Sequence, residues 1–252
     1  MLIKMKYSFV FLKFLMVVLL GTSYGFAAPT SKLNREVLKV TDWGFAKGQK
    51  PTALHDAVTV GSMDQVVRAL ESGVDINAVA FDMETALHIA VEKGYYDIAK
   101  YLLDHGADVN AKGGPYSDYE TPLHYACSKD GSKTIVLLLL EYGAEIDSKS
   151  GSLGRTPLIV AAHIAPIEIV EVLVNHKANV NTQSKKGGWT PLHNAIHRFE
   201  TGYPQRLKIV TLLIQSGADL NIKDNEGRTP LAFATELNDK EMVDALIKHG
   251  AN

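Results

Sequence analysis

The sequence predicts an all-α solenoid built from six consecutive pairs of helices. Three observations indicate this class: a tripeptide that recurs at nearly constant spacing, a second motif at a regular distance after it, and an apolar pattern of helical period between the two. The 252-residue chain is 46% hydrophobic and 21% charged, within the range of globular proteins. Its formal net charge of −2 gives no excess of positive charge for nucleic acid, and its single cysteine excludes an intramolecular disulfide and a zinc site of several thiolates.

The N-terminus has the pattern of a signal peptide over residues 1–27. A basic start, an apolar run over residues 14–20 and the small residues Gly25 and Ala27 are typical of a sequence that signal peptidase cleaves. The alternative is an uncleaved membrane anchor, but Lys13 interrupts the apolar stretch, and a spanning helix needs about 20 apolar residues. We expect cleavage after Ala27 and an exported chain, periplasmic or secreted, that has no membrane contact thereafter.

The tripeptide Thr-(Ala/Pro)-Leu recurs six times over residues 52–252, at intervals of 33, 36, 35, 34 and 39 residues. The six copies begin at Thr52, Thr85, Thr121, Thr156, Thr190 and Thr229. Thr is a favourable N-cap residue, and the Pro that follows it in the last four copies suits the first position of a helix, where no backbone N–H is needed. Each tripeptide therefore predicts the start of a short helix, and in four copies the next residue is His.

A second motif, a glycine followed by an Asp- or Asn-containing segment, comes about 21 residues after most of these threonines. The residues that precede it, such as 98–103, carry the apolar stripe of a second helix. Glycine is expected to end that helix in the left-handed conformation, as at Gly106 and Gly143. Helix pairs this short bury their apolar faces only against neighbouring pairs, so the repeats must stack.

These motifs are similar to those of the ankyrin-repeat family, and the resemblance covers about four fifths of the chain. It implies L-shaped repeats, each with two antiparallel helices and a projecting hairpin finger, in which the motif Thr and His act structurally. It also implies that a protein partner binds the concave surface formed by the fingers and the first helices. Residues 28–51, which include Trp43 and Phe45, contain enough apolar side chains for an N-terminal capping helix over repeat one.

Three departures from the repeat pattern predict irregular places. The linker before Thr121 is three residues longer than the preceding one, which predicts an enlarged finger around residues 113–116. Repeat five carries six additional residues around 199–204, which predict a loop between its two helices. Repeat four has Ile159 in place of the motif His and Lys177 in place of the terminating Gly, so we expect it to be the least regular interior repeat.

The resemblance assigns candidate partner-binding residues to the fingertips and to the exposed side of the first helices. They are Phe81, Asp82, Glu84, Glu92 and Lys93 in repeat two, Ser117, Asp118 and Glu120 in repeat three, Leu153 and Arg155 in repeat four, Lys186, Trp189 and Arg198 in repeat five, and Asn225 and Arg228 in repeat six. The row is acidic towards repeats two and three and basic at repeats four and five.

Two large aromatic residues, Phe81 and Trp189, occupy finger positions where a solvated finger would carry polar side chains. Exposed aromatic rings beside Arg are typical of an interface hot spot, so we expect both rings to contact the partner. The alternative is that both rings fold back on their own fingers.

The sequence contains no recognisable catalytic motif, and we assign no catalytic residue, metal or cofactor. The one constellation that points to a metal is His193 and His197, four residues apart on a helix, with His163 of the preceding repeat as a third ligand for a zinc-dependent hydrolase. No Glu accompanies them in a His-Glu-x-x-His arrangement, and the resemblance gives His193 a structural role. The favoured hypothesis is a monomeric, exported protein-binding module; the others are a secreted effector that engages a host protein and a spacer without a ligand.

Overall fold

The computed structural model of the chain describes residues 50–80, 83–128, 131–197 and 205–251. The predicted signal peptide, nearly all of the predicted capping segment and the repeat-five insert lie outside the described residues. Three candidate binding residues also lie outside them, namely Phe81, Asp82 and Arg198.

In these ranges the chain forms twelve α-helices, arranged in sequence as six pairs. They are α1 (Ala53–Thr59), α2 (Met63–Glu71), α3 (Ala86–Glu92), α4 (Tyr96–Asp104), α5 (Pro122–Ala126), α6 (Lys133–Glu141), α7 (Pro157–Ile164), α8 (Ile167–Asn175), α9 (Pro191–Ile196), α10 (Arg206–Gln215), α11 (Pro230–Glu236) and α12 (Lys240–Lys248). The described residues contain no β-strand, only an isolated antiparallel bridge between Val79 and Thr85 in one finger. The predicted all-α class is confirmed.

Four of the six first helices share one capping arrangement between the motif Thr and the His three residues later. In repeat three the Thr121 backbone N–H donates to Nδ1 of His124 at 3.2 Å. Because Nδ1 accepts this bond, the ring proton lies on Nε2, which donates to the backbone carbonyl of Arg155 in the next repeat at 3.0 Å. The same link to a following carbonyl joins His55 to Glu84, His88 to Glu120 and His193 to Arg228. Each histidine ties its own helix cap to the next finger, and it must be neutral to do so.

Repeat four starts its first helix without a histidine. The Thr156 hydroxyl accepts a hydrogen bond from the Ile159 N–H at 3.4 Å. The Ile159 side chain is fully buried at the position where the other repeats carry the imidazole ring. An apolar side chain therefore replaces a polar link between repeats.

The second helices end as the glycine motif predicts, with Gly106 at φ 92° and Gly143 at φ 84°. Lys177 occupies the same place in repeat four and has φ 69°, although it carries a side chain. Repeat four thus keeps the helix ending that its sequence was expected to lose. Its departure from the other repeats lies at the turn between its helices, where Ala165 is extended before Pro166 because proline disfavours the helical conformation in the preceding residue.

Replacing Lys177 by glycine is expected to raise the free energy of unfolding by about 0.5–1 kcal/mol. The left-handed conformation costs a residue with a Cβ about 1–2 kcal/mol, and the greater freedom of glycine in the unfolded chain offsets part of the gain. Urea denaturation measures the effect, with Lys208→Gly inside α10 as the control that should lose about 1 kcal/mol. A lower urea midpoint for Lys177→Gly would contradict the assigned backbone conformation.

The core is a continuous apolar cluster that runs through all six repeats, from Leu54 to Ala251. The first helices approach one another closely because small residues face their neighbours, as at the buried Ala90 and Ala126. Both helices of a pair also contribute large, fully buried side chains, such as Leu87 in α3 and Leu139 in α6. Among the described residues no helix has both the length and the apolar character that crossing a bilayer requires.

Successive fingertips of repeats three to six are joined by backbone hydrogen bonds. The Gly151 N–H donates to the carbonyl of Asp118 at 2.6 Å, and the Lys185 N–H donates to the carbonyl of Leu153 at 2.9 Å. The Asn225 N–H continues the row by donating to the carbonyl of Gly187 at 2.9 Å. These bonds fix the distance between neighbouring fingers and so hold the finger surface in one shape.

Candidate protein-binding surface

Two acidic candidates, Glu84 and Glu120, are engaged within the protein. Glu84 accepts a hydrogen bond from the Tyr125 hydroxyl at 2.5 Å, across one repeat. Glu120 forms an ion pair with Arg155 at 2.7 Å, and burial raises the pKa of Glu120 more than the neighbouring guanidinium lowers it. Both carboxylates bind side chains of a neighbouring repeat, so their first role is to stabilise the stacking of repeats.

Asp118 has the most extensive contacts of these acidic residues. Its carboxylate accepts hydrogen bonds from the hydroxyls of Ser150 and Ser152 and from the backbone N–H groups of Ser152 and Leu153, at 2.7–3.0 Å. Burial of Asp118 would raise its pKa, but these bonds outweigh burial and lower it. Asp118 therefore clamps the finger of repeat four to the enlarged finger of repeat three, a role that sequence reasoning missed because neither serine stands in a recognisable motif.

Two basic candidates, Arg155 and Lys186, border a cleft of about 200 Å³ on the face of the first helices and fingers. Its positively charged or titratable lining comes from Arg155, His163, Lys186 and His197. Its apolar lining includes the indole ring of Trp189. We call this feature the repeat four–five cleft.

Trp189 is half-buried, and its ring is held between two aromatic neighbours. The ring centroid lies 4.5 Å from that of His197 and 5.2 Å from that of Phe233, which belongs to the next repeat. The Trp189 indole is therefore only partly exposed, because the ring packs across the junction of repeats five and six. Sequence reasoning missed Phe233, whose position in α11 gives no sign that it meets a finger residue about 44 positions earlier.

Arg228 is also engaged within the protein. Its guanidinium donates to the buried carboxylate of Asp224 from both Nε and Nη2, at 2.9 and 2.7 Å, and reaches Glu236 at 3.0 Å. The guanidinium carbon lies 4.8 Å from the ring centroid of Phe233, a cation–π distance. Arg228 thus orders the finger of repeat six and supports the aromatic group beside the cleft.

The histidine constellation does not form the proposed zinc site. His193 is fully buried, with Nδ1 bonded to Thr190 and Nε2 paired with the carbonyl of Arg228, so it has no lone pair to give to a metal. The rings of His163 and His197 are stacked at 5.8 Å. No group of three or more potential ligands is found in the described ranges, and the hydrolase hypothesis loses the ligand on which it depended.

The remaining candidates are more accessible. Glu92 and Lys93 lie exposed at the end of α3, and Lys186 and Asn225 are exposed on the fingers of repeats five and six. The Ser117 hydroxyl donates to the carbonyl of Gly114 at 3.0 Å within the enlarged finger. The accessible side chains are therefore distributed along the row, whereas the concave cleft is confined to repeats four and five.

The helix pairs stack on one another, and histidine side chains link neighbouring repeats. A row of hydrogen-bonded fingers runs along the stack. These features define a class of solenoid with one elongated face on which a partner can bind. The family profile described as ankyrin repeats in three copies matches residues 29–113, 54–150, 123–224 and 188–252. The chain belongs to the ankyrin-repeat family, whose repeats form protein–protein interaction modules and typically a non-enzymatic scaffold.

Curated relatives share these repeats over part of their length. The chain is 37% identical to "Putative ankyrin repeat protein FPV031" of Fowlpox virus (strain NVSL) over 136 residues, which are 52% of this chain and 38% of the relative. It is 40% identical to "B-cell lymphoma 3 protein homolog" of Mus musculus over 114 residues, 45% and 24% of the two chains. It is 33% identical to "Putative ankyrin repeat protein YahD" of Escherichia coli (strain K12) over 132 residues, 52% and 63%. The matches thus span less than two thirds of each of these relatives.

Two solved structures have the same architecture. The ankyrin-repeat protein EF0377 superimposes with a TM-score of 0.69 at 28% identity, covering 81% of this chain and 99% of the other. The ankyrin-repeat domain of Bcl-3 also has a TM-score of 0.69, at 26% identity, with 81% and 88% covered.

Proposed function

We propose that this protein is an exported, monomeric and non-enzymatic binding module that holds a protein partner on its fingers and first helices. The observation that carries the proposal is the repeat four–five cleft, a concavity that lies on this face. Accessible residues on both sides of it, Lys93 towards the N-terminus and Asn225 towards the C-terminus, extend the surface over several repeats. Such a length suits a protein partner, which typically covers about 800 Å² of each surface.

Site-specific photocrosslinking in the native host tests which face binds. A photoreactive amino acid at Lys93, Lys186 or Asn225 should yield one cross-linked species with the same partner from all three positions. Matched controls on second helices, at the exposed Glu171 and Lys208, should yield none. Equal cross-linking from both sets would contradict the proposed face, and the sequence of the captured protein tells whether the partner is the producer's own or belongs to a host.

Export is the second part of the proposal, and it rests on the basic start, the apolar run and the Gly25-x-Ala27 boundary. We expect protein from the native host to begin at Ala28, so that mass spectrometry reports the loss of residues 1–27. Replacing Ala27 with a bulky residue such as Phe should leave the leader attached, because signal peptidase requires a small residue there. Intact protein that begins at Met1 in the cytoplasm would overturn this part while leaving the binding face untouched.

A further inference from the structure

We propose that the repeat four–five cleft is a pocket for one acidic side chain of the protein partner, an Asp or Glu that projects from an apolar segment. This inference rests on the proposed function, because it names the chemistry that the same face recognises. It follows from the charge of the cleft, from its size and from the nature of its walls.

The charged side chains that line the cleft are positive. Arg155 and Lys186 line it together with two histidines, whereas no Asp or Glu is among the residues that line it. The carboxylate of Glu120 binds Nη2 of Arg155, but Nε of Arg155 is buried without a hydrogen-bond partner among the described residues. Within that part of the chain Lys186 also has no carboxylate at ion-pair distance. The cleft therefore has more positive charge than its own acidic neighbour balances.

The other acidic residues near this face are already committed. Asp118 accepts four hydrogen bonds from the finger of repeat four, and Asp224 holds the guanidinium of Arg228. Turning either carboxylate towards the cleft would break bonds that hold neighbouring fingers or order a finger. Neither carboxylate is therefore available to neutralise the cleft without the loss of these bonds.

The size of the cleft selects a side chain over a larger ligand. Its volume of about 200 Å³ is below the roughly 300–1,000 Å³ of typical small-molecule sites. Leu153 and Trp189 supply accessible apolar wall above the buried Ile159, and Phe233 and His197 hold the indole in place. The cleft thus combines a cationic end with a preorganised apolar wall, which matches a carboxylate on a short aliphatic stem beside another apolar group.

Positive potential at the site has a second indication. The pKa of His197 is lowered, first by burial and then by the charges of His163 and Arg228. A carboxylate bound beside these groups would be attracted to Lys186 and Arg155, and partial burial would strengthen that attraction relative to an exposed pair.

Selection of peptides from a random display library on the full chain tests the proposal. The strongest binder is synthesised with each Asp or Glu changed in turn to Asn or Gln, and the Kd is measured by fluorescence anisotropy. We expect one such change to weaken binding about tenfold, and Lys186→Glu to weaken the parent peptide by a similar factor. Lys208→Glu, an equal charge change on the opposite helix row, should leave the Kd within about twofold. The two effects should not add: the amide peptide should bind Lys186→Glu and the unaltered protein almost equally.

The outcomes separate this inference from the proposed function. Peptides that cross-link from Asn225 but tolerate every acid-to-amide change would overturn the acidic pocket and leave the binding face intact. Peptides that cross-link only from Glu171 or Lys208 would overturn the binding face itself. Displacement of the acidic peptide by inorganic phosphate, but not by chloride at equal ionic strength, would assign the cleft to a small free anion and overturn the inference. A thermal melt of Lys186→Glu that matches the unaltered protein excludes unfolding as the cause of any loss, since this side chain is exposed.

Discussion

Acidification from pH 7 towards about pH 4 is expected to unfold the repeat array, because its motif histidines must be neutral in the fold and become protonated in the unfolded chain. Burial lowers the pKa of His88 and of His124 from 6.5 to about 4. Burial also lowers the pKa of His55 and of His193, in repeats one and five. Each of these rings accepts a backbone N–H at Nδ1, so a proton on that nitrogen breaks the helix cap.

The sign of the effect follows from proton binding. Between pH 6.5 and about pH 4 the unfolded chain binds more protons than the folded chain, so the free energy of unfolding falls as the pH falls. His88 and His124 each contribute a slope of about 1.4 kcal/mol per pH unit, or about 3 kcal/mol over the whole window. Glu120, whose pKa burial raises, works in the opposite direction. The histidine effect is large beside the roughly 5–15 kcal/mol that stabilises a typical domain.

Urea denaturation followed by circular dichroism at several pH values between 7 and 4.5 measures this dependence. The matched variant is His124→Gln, which does not titrate and should flatten the slope by about 1.4 kcal/mol per pH unit while lowering stability at pH 7. His105→Gln is the control for the substitution itself, because His105 is exposed at the end of α4 and is not one of the motif histidines that cap a first helix. A urea midpoint that stays constant from pH 7 to pH 4.5 would show that the motif histidines are not held neutral.

Gly154→Ala is expected to destabilise the protein by about 2–4 kcal/mol, far more than the equivalent change Gly227→Ala in the finger of repeat six. Both glycines precede the motif Thr by two residues, and both have positive φ, 60° and 80°. A Cβ on Gly154 would lie 2.6 Å from Cβ and 2.9 Å from the backbone N of Lys185 in the next finger. A Cβ on Gly227 would meet nothing within 4 Å.

The pair of variants separates backbone strain from contact between fingers. Gly227→Ala should lose only the strain of the left-handed conformation, about 1 kcal/mol. Gly154→Ala adds a steric overlap that pushes Lys185 away and weakens its hydrogen bond to the carbonyl of Leu153. Urea denaturation compares the two variants directly. Equal losses for both would mean that the fingers of repeats four and five are farther apart in solution than the structure indicates.

The residues that begin and end the helices were predictable from the sequence, because each acts through local contacts and the same residue type recurs in other repeats. Thr121 caps a helix and Gly143 ends one through contacts within a few positions of the chain, and the same residue types recur in the other repeats. Lys177 is the position at which the local preference of the residue type did not predict the backbone conformation. Its identity predicted an irregular ending, but the surrounding repeat holds it at φ 69°, because packing on both sides outweighs a local preference of about 1–2 kcal/mol.

By itself the sequence determined the helix pairs, their number and their stacking, since short amphipathic helices with regular caps bury their apolar faces only against copies of themselves. Tertiary structure alone decided which candidate binding residues are engaged within the protein. The Asp118 clamp, the contact between Trp189 and Phe233 and the repeat four–five cleft each join residues from different repeats, about 30–45 positions apart. Repeat spacing brings such positions near one another, but the side-chain contacts depend on finger geometry and on which polar groups find partners as neighbouring repeats pack.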